Sequence, residues 1–474
     1  MLFSSLVFLT LFLPIVLFIY FLLGQRYRNL FLFLASIFFY AWGEPSLTII
    51  MLISIMINFV AGRAVVRARK QYSPVITKLI LAVAVTVNLG LLIYYKYFNF
   101  LLGNLHELSF FTSIDNDSVL LPVGISFYTF HSISYLMDLY WGNAEELKNP
   151  VDLGLYIALF PQLIAGPIVR YHDIDQQIRS RSVTSQLFVE GIHRFIQGLG
   201  KKVLIANTMA LVADNTFSVS PEQLPVLVAW TGIICYTLQI YFDFSGYSDM
   251  AVGLGKMFGF TLPENFNFPY IAQSIQEFWR RWHLSLSSWF RDYLYIPMGG
   301  SRGGTVSTYR NLIIVFFVTG LWHGASWNFV IWGLYHGFFL ILERIGLGKF
   351  LLRIPAFFRT TYCILIVMIG WVFFRSDDLT YSIGFLQTLF TGSAGTELAP
   401  MLYYNNYFWF MLALGIVFST PVMDFIQKRL TFLQGVRWER TIDVLKPVGY
   451  ILVLVFCFME LAQNSYNPFI YFRF

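Results

Sequence analysis

Leu312–Leu342 reads LIIVFFVTGLWHGASWNFVIWGLYHGFFLIL, an apolar run with His323 at its centre between two tryptophans and two glycines. Polar side chains are costly inside a bilayer, so an ionisable residue in such a run is a functional candidate by default. A hydrogen-bonded histidine that joins two helices is the structural alternative, with Trp322 and Trp327 as interfacial anchors. The run therefore predicts membrane helices and a candidate site at His323.

The composition of the whole chain agrees with a membrane protein. It has 474 residues, of which 57% are hydrophobic and only 12% charged, and a mean hydropathy of +0.63. Soluble domains carry about 25% charged residues. A span needs ~20 apolar residues, and the sequence offers roughly ten to thirteen such stretches. We predict an all-α polytopic integral membrane protein with one membrane domain, residues 1–474.

Charged residues and cysteines define the topology and exclude other classes. The net charge of +6 indicates basic cytoplasmic loops rather than nucleic-acid binding. These loops carry Arg26 and Arg28 early in the chain and Lys428 and Arg429 late in it, which places both termini outside the cytoplasm. The three cysteines lie in apolar runs without metal spacing, so they are interpreted as small buried hydrophobic residues. They are Cys235, Cys363 and Cys457.

Basic residues also flank the opening run on both sides. Arg310 precedes it and Arg344 follows it, which suggests that both of its ends are cytoplasmic. Two complete crossings would need ~40 apolar residues, more than Leu312–Leu342 provides. We therefore predict a re-entrant or kinked helix pair that opens toward the cytoplasm, with His323 at or near its break.

A second aromatic stretch, Glu277–Tyr293, reads EFWRRWHLSLSSWFRDY and is too charged to span a bilayer. An amphipathic helix would place Trp279, Trp282 and other rings in the membrane interface and the arginines toward headgroups. An amphipathic helix gives no reason for a histidine at position 283. Arg280 and Arg281 can attract phosphate groups, although positive-inside topology accounts for them equally well.

Other polar residues in apolar segments suggest a competing function. His131 and Asp138 fall on one helix face, and Asp243 and Asp249 stand beside a hydrophobic segment, where they need partners. A polysaccharide or solute transporter would use these four side chains as a polar pathway. Many transporters contain internal repeats, and the sequence shows none, which favours an enzyme.

The chemistry available to His323 is that of a general base. In apolar surroundings an imidazole stays neutral, so it can accept a proton from a hydroxyl or thiol. The residues around Ser326 lack the strand–turn–helix setting of a serine nucleophile. No metal site is predicted, because His283, His323 and His336 include no closely spaced ligand pair.

Both histidine stretches resemble the membrane-bound O-acyltransferase family, and within it the members that O-acetylate alginate or peptidoglycan. The resembling segments run through most of the chain. They are Met1–Ser5, Leu121–Phe127, Phe160–Arg170, Phe278–His283, Leu321–Gly324 and Asn467–Phe472. Each segment is weak alone, whereas the set is specific for the family.

The resemblance implies that His323 and His283 are the catalytic histidines. It implies acetyl-CoA as the cytoplasmic donor, no bound cofactor, and a tunnel near His323 within a helical bundle. An extracytoplasmic SGNH-type acetyltransferase would receive the acetyl group and modify a polysaccharide, of alginate type or, as the alternative, peptidoglycan. A lipid acyltransferase is a lesser alternative. We expect a multi-pass protein of the bacterial cytoplasmic membrane, in contact with membrane lipid. Candidate donor-binding residues are Arg280, Arg281, Trp282, Trp322, Trp327 and Asp243.

Overall fold

The structure is a computed structural model that describes residues 1–107, 119–391, 395–423, 425–426, 437–463, 466–467 and 469–470. Within these ranges the chain is helical and contains no strand. Helices satisfy their backbone hydrogen bonds internally, as a bilayer requires. The all-α class is therefore confirmed. Lys428 and Arg429 of the predicted basic loop lie outside the described residues, as do parts of the C-terminal motif Asn467–Phe472.

Seven helices in the described part are long and apolar enough to cross a membrane, so the chain is a polytopic membrane protein. They cover Thr48–Gln71, Pro74–Leu105, Val226–Met257, Gly304–His323, Trp327–Leu351, Ala356–Arg375 and Leu445–Gln463. Two shorter apolar helices cover Phe8–Leu22 and Asn406–Phe418. Fewer long helices form than the ten to thirteen predicted stretches, because several stretches fold into shorter or broken helices. Gln25–Ala41 and Ile125–Trp141 have 17 residues each.

The chain divides into two compact units. The first comprises residues 1–192 and 251–263, and the second comprises residues 193–250 and 264–474. The prediction of one membrane domain over residues 1–474 stays a prediction. Two helices belong partly to each unit, α10 (Ser185–Gly200) and α12 (Val226–Met257).

The described part of the first unit contains nine further α-helices. They are α1 (Leu13–Leu22), α2 (Gln25–Ala41), α3 (Thr48–Gln71), α4 (Pro74–Leu92), α5 (Phe98–Glu107), α6 (Ile125–Trp141), α7 (Pro150–Ala158), α8 (Phe160–Leu163) and α9 (Tyr171–Arg179). Short π-helical turns, Phe8–Phe12 and Ile93–Tyr97, adjoin α1 and α4. The helix is broken next to Pro161, since Leu159 separates α7 from α8. The break is buried, which is where a membrane protein tolerates irregular backbone.

Polar residues of α6 face the interior of the first unit. His131, Ser134 and Asp138 are fully buried. The Ser134 hydroxyl lies 2.9 Å from the Tyr156 hydroxyl, and Asp138 Oδ2 accepts a hydrogen bond from the His172 backbone N–H at 3.0 Å. The predicted polar stripe therefore exists and is engaged in interhelical hydrogen bonds, the structural interpretation of these residues.

The second unit contains the remaining helices and an aromatic core. They are α11 (Asn207–Phe217), α13 (Ile275–Trp279), α14 (Leu284–Phe290), α15 (Gly304–His323), α16 (Trp327–Leu342), α17 (Gly348–Leu351), α18 (Ala356–Arg375), α19 (Leu379–Thr391), α20 (Asn406–Phe418) and α21 (Arg437–Gln463). Its interior is a cluster of buried side chains that includes Trp279, Trp282, Trp332 and Trp371. All three cysteines of the chain are free and buried, as predicted.

The single interfacial helix expected over Glu277–Tyr293 does not form. α13 ends at Trp279 and α14 begins at Leu284, with the chain turning between them. Trp279 and Trp282 are buried within the protein instead of lying in the membrane interface. The prediction was wrong because His283 adopts a left-handed backbone conformation, φ 46° and ψ 54°, which no α-helix accommodates.

Candidate active site

The helices α15 and α16 form a hairpin whose turn begins at His323. α15 ends at that residue and α16 starts at Trp327. A Cβ at Gly333 would lie 2.2 Å from the Phe316 carbonyl oxygen, and one at Gly320 would lie 2.3 Å from the Phe329 carbonyl oxygen. Small residues of this kind allow membrane helices to approach backbone to backbone. The break predicted at His323 is confirmed.

Together the two helices extend beyond both ends of the apolar run Leu312–Leu342. α15 begins at Gly304 and has 20 residues, and the helical segment Trp327–Leu351 has 25. Each is long and apolar enough to cross a membrane. The run Leu312–Leu342 is shorter than two spans because polar residues contribute to the outer turns of both helices. A re-entrant geometry that opens to the cytoplasm stays a prediction.

His323 is buried among aromatic rings. The ring centroids of Trp322, Trp332 and Phe374 lie 4.8, 4.9 and 5.2 Å from that of the imidazole, each in an edge-to-face arrangement. Only 4% of the His323 surface is exposed. Such surroundings hold the imidazole in one place and keep bulk water away from it.

A small cavity adjoins the His323 ring. Its volume is ≈ 10 Å³, about the space that one water molecule needs. The lining residues come from helices far apart in the chain. They are Ile240, Phe244, Trp282, His323, Trp332, Trp371, Phe374 and Ile470. Among the described residues of this lining, His323 is the one ionisable side chain.

His283 lies beside His323 although it comes from a different segment, the turn between α13 and α14. The ring centroids of the two histidines are 6.3 Å apart, and the His283 ring is fully buried. Phe244 packs edge-on against it at 4.7 Å. Burial lowers the pKa of His283 to about 3, so this imidazole is neutral at physiological pH. The structure thus brings together the two histidines that the sequence singled out.

The predicted tryptophans occupy different positions. Trp282 lines the cavity, and the Trp322 ring lies 5.8 Å from that of His283. Trp327 is 53% exposed at the start of α16, and it does not line the cavity. Trp282 and Trp322 therefore surround the histidine pair, whereas Trp327 has the exposure of an interfacial anchor.

The two predicted arginines also differ. Arg281 Nε donates to Glu277 Oε1 at 2.9 Å, and its Nη1 donates to the Asn267 carbonyl at 3.0 Å. Arg280 instead lines a groove of ≈ 210 Å³ together with Arg291 and Arg344. Arg281 is therefore held in an intramolecular ion pair, whereas Arg280 is exposed in the lining of this groove.

This groove, which we call the arginine groove, reaches the aromatic layer around His323. Trp279 and Phe316 line it. The Trp279 ring lies 5.8 Å from that of Trp332, which in turn packs 4.9 Å from His323. Two packed rings, Trp279 on the groove side and Trp332 on the cavity side, therefore lie between the groove and the cavity.

Asp243 is engaged within the protein. Its Oδ1 lies 2.7 Å from Lys202 Nζ, and its Oδ2 accepts a hydrogen bond from the Ile470 backbone N–H at 2.9 Å. Since Ile470 lines the cavity, Asp243 ties the C-terminal segment to α12 beside the site. It does not line the arginine groove.

Several residues of the site escaped the sequence analysis. Trp332, Trp371 and Phe374 pack around the cavity, and Asn265 Oδ1 lies 3.0 Å from His283 Nδ1. The rings are common residues in apolar helices, and Asn265 stands in an irregular segment without periodicity. Among the described residues, no group of three His, Cys, Asp or Glu side chains is arranged to hold a metal ion.

Comparison with known proteins agrees with this architecture. Residues 146–374, which include both histidines, match the model of the membrane-bound O-acyltransferase family. The chain is similar to a probable alginate O-acetylase of Pseudomonas putida, with 42% identity over the full length of both chains.

More distant relatives match the chain as well. A peptidoglycan O-acetyltransferase of Helicobacter pylori is 33% identical over all of this chain and 98% of its own. A teichoic acid D-alanyltransferase of Bacillus subtilis is 31% identical over 45% of this chain and 56% of its own. The chain therefore belongs to the membrane-bound O-acyltransferase family and is an O-acyltransferase.

Proposed function

We propose that this O-acyltransferase takes an acetyl group from cytoplasmic acetyl-CoA and passes it across the bacterial cytoplasmic membrane for O-acetylation of a polysaccharide. An alginate-type polymer is favoured, because the Pseudomonas putida relative named for alginate matches both chains over their full length. The Helicobacter pylori relative makes peptidoglycan the second candidate. The observation that carries the proposal is the buried pair of histidine rings, 6.3 Å apart, at an aromatic cavity.

In the proposed reaction His323 is the general base. Its neutral imidazole takes the proton of the acceptor hydroxyl as the hydroxyl oxygen attacks the thioester carbonyl carbon. A C–O bond forms and the C–S bond breaks. The proton then passes from the imidazolium to the departing CoA thiolate, which leaves His323 neutral for the next turnover. The aromatic walls exclude water, which would otherwise hydrolyse the thioester.

His283 is the second catalytic residue of the proposal. Its low pKa keeps it neutral, and its ring faces the same aromatic neighbourhood as His323. A second proton acceptor at this distance can orient the acceptor hydroxyl or share its proton. Trp282 and Trp322 would shape the space around the acetyl group by packing alone, since neither side chain can act as a base.

The arginine groove is the proposed donor site. Three guanidinium groups line the apolar groove, of which that of Arg291 is also paired with Asp292 at 2.7 Å. Such a groove suits a ligand with phosphates and a thin aliphatic arm. Its apolar wall at Trp279 contacts Trp332 beside His323, so the groove approaches the cavity to within these two rings. Both termini and the acceptor side would face away from the cytoplasm, where an SGNH-type partner would collect the acetyl group.

The transporter alternative has little support in the side-chain contacts. Asp249 lies within hydrogen-bond distance of Arg194 at 2.8 Å and Lys201 at 2.6 Å, and Asp243 is paired with Lys202. These ion pairs supply the partners that buried carboxylates require. Because the chain is an O-acyltransferase, these ion pairs are assigned to structure.

The test is acetyl transfer by the purified protein in detergent or vesicles. Acetyl-CoA labelled in the acetyl group is supplied with and without the SGNH-type partner, and CoA release and label transfer are followed. Arg280→Ala should raise the KM for acetyl-CoA about tenfold, the effect of roughly 1.4 kcal/mol expected for one charge-assisted phosphate contact. Arg281→Ala is the matched control, since that guanidinium is held by Glu277, and its KM should change less.

Three results would contradict the proposal. Absence of CoA release under all conditions would exclude acetyl-CoA as the donor. Equal effects of the two arginine variants would exclude the arginine groove as the donor site. Competition by a long-chain acyl-CoA at micromolar concentration, with transfer of its acyl group, would indicate a lipid acyltransferase instead.

A further inference from the structure

Asn265 holds three consecutive residues at the start of α14. Its carbonyl oxygen accepts a hydrogen bond from the Leu284 backbone N–H at 2.9 Å. Its side-chain Oδ1 accepts from the Ser285 backbone N–H at 3.3 Å and from the Ser285 hydroxyl at 2.9 Å. The same Oδ1 lies 3.0 Å from His283 Nδ1. Asn265 is 1% exposed, so these contacts are shielded from water.

The contact with the Ser285 backbone fixes the orientation of the Asn265 amide. Amide oxygen and nitrogen atoms must be assigned from their hydrogen-bond partners. A backbone N–H can only donate, so the amide atom that faces Ser285 has to be the oxygen. That atom is also the one beside His283, which makes it an acceptor toward the ring.

An acceptor at Nδ1 decides which nitrogen of His283 carries the proton. A neutral imidazole has one N–H and one lone pair. Two acceptors cannot form a hydrogen bond, so Nδ1 carries the hydrogen and Nε2 carries the lone pair. Nε2 is buried and has no hydrogen-bond partner among the residues that the structure describes.

The backbone of His283 supports the same arrangement. Its φ of 46° lies in the left-handed region, which costs a non-glycine residue free energy and persists where surrounding contacts enforce it. The hydrogen bonds to Asn265 begin at the ring of this residue and continue through the next two residues. They fix the ring and its backbone together.

We propose that Asn265 is a positioning residue, which holds His283 as the Nδ1–H tautomer and leaves Nε2 as the nitrogen that accepts a hydrogen bond from the acceptor hydroxyl during acyl transfer. The use of Nε2 in transfer rests on the proposed function, whereas the tautomer does not. The hydrogen bond fixes a tautomer in the way that the partner of a catalytic histidine does in hydrolases. Asn265 itself touches neither the cavity nor the donor groove.

The tautomer is measured directly by NMR on protein labelled with ¹⁵N at the histidine rings. The chain has seven histidines, and the signals of His283 are identified by their loss in His283→Gln. In the full-length protein in detergent, we expect His283 to show a protonated Nδ1 and an unprotonated Nε2 at pH 7.5. A protonated Nε2 would overturn the proposal.

Variants of Asn265 test the link to activity. Asn265→Leu removes the acceptor, and we expect His283 to show a mixed or reversed tautomer. The kcat should fall about tenfold or more, because the imidazole no longer presents the correct nitrogen. The KM for acetyl-CoA should change less than twofold. Asn265→Asp keeps an acceptor and should retain the Nδ1–H tautomer. If Asn265→Leu does not fold, the wild-type and Asn265→Asp spectra still decide the question.

Ser285→Ala is the matched control, because it removes one hydrogen bond to Asn265 and leaves the contact with His283. Its spectrum should show the wild-type tautomer. An unchanged tautomer and kcat in Asn265→Leu, or a reversed tautomer in Ser285→Ala, would contradict the proposal. A wild-type protein without acetyl transfer would refute the proposed donor but leave the tautomer measurement valid.

Discussion

The imidazole of His323, at the end of α15, lies with its ring centroid 6.3 Å from that of His283, which precedes α14. Both rings are buried in one aromatic neighbourhood, where Trp322 contacts each of them. The hairpin of α15 and α16 supplies one histidine, and the turn held by Asn265 supplies the other. The pair therefore depends on two local features, a close helix hairpin and a left-handed residue, and each can be tested.

Close packing of the hairpin predicts that no side chain larger than that of glycine is tolerated at position 333. A Cβ there would lie 2.2 Å from the Phe316 carbonyl oxygen and 3.0 Å from the Gly320 backbone. Gly333→Ala should destabilise the protein by about 1–3 kcal/mol, the usual range for overpacking, and lower transfer activity by moving His323. Thermal unfolding in detergent measures the change. Gly90→Ala is the control, because no atom lies within 4 Å of a Cβ there; equal losses in both variants would contradict the prediction.

The left-handed conformation of His283 predicts an order of stability among its variants. Asparagine tolerates positive φ, whereas a β-branched residue does not. His283→Val should therefore be less stable than His283→Asn by about 1–3 kcal/mol. The two unfolding curves, recorded in the same detergent, give the difference directly. Equal stabilities, or a more stable valine variant, would mean that the backbone relaxes out of this conformation.

Burial of His283 also predicts a pH dependence of stability. The pKa falls from 6.5 to about 3 in the folded protein, so below pH 6.5 the unfolded chain binds a proton that the folded chain does not. The free energy of unfolding is therefore highest above pH 6.5 and decreases as the pH falls from 6.5 toward 3. Between pH 7.5 and 5.5 the wild type should lose about 1.4 kcal/mol more than His283→Gln. The free energy of unfolding at both pH values measures this, and parallel losses would refute it.

The ion pair of Asp243 and Lys202 predicts a non-additive pair of substitutions. Asp243→Asn places a neutral amide against a buried cation, and loss of one partner of a buried pair costs about 3–5 kcal/mol. It should also loosen Ile470 at the cavity, because the Ile470 N–H loses its carboxylate acceptor. The double variant Asp243→Asn with Lys202→Met should recover part of the stability, measured by thermal unfolding. Additive losses in the double variant would contradict a direct coupling.

The sequence alone was sufficient to predict the structural class and to single out His283 and His323. Hydropathy and charge predicted a helical membrane protein, and the flanking pattern of His323 placed a helix break at that residue. A polar group in an apolar run is visible without tertiary structure because burial there is costly. The enzyme class followed from the resemblance rather than from any spacing.

What the sequence could not show depends on contacts between distant segments. The aromatic pattern of Glu277–Tyr293 suited one amphipathic helix, and the turn at His283 is imposed by Asn265, a residue of another segment. Arg280 and Arg281 are adjacent in sequence, yet only the structure shows that Glu277 engages one of them. Asp243 is a donor-binding candidate from the sequence alone, and only the structure shows its contacts with Lys202 and Ile470, which are remote in the chain.

The most direct test of the account is acetyl transfer by His323 variants. Purified wild type, His323→Ala and His323→Gln are incubated with labelled acetyl-CoA and the extracytoplasmic partner, and CoA release is timed. His336→Gln is the matched control, since His336 is buried in the adjoining aromatic layer and does not line the cavity. We predict that the two His323 variants fold but lose about 10²–10⁴-fold in kcat, the contribution of a general base, while His336→Gln stays within a few-fold of wild type. A folded His323 variant with wild-type turnover would contradict the assignment of His323 as the catalytic base.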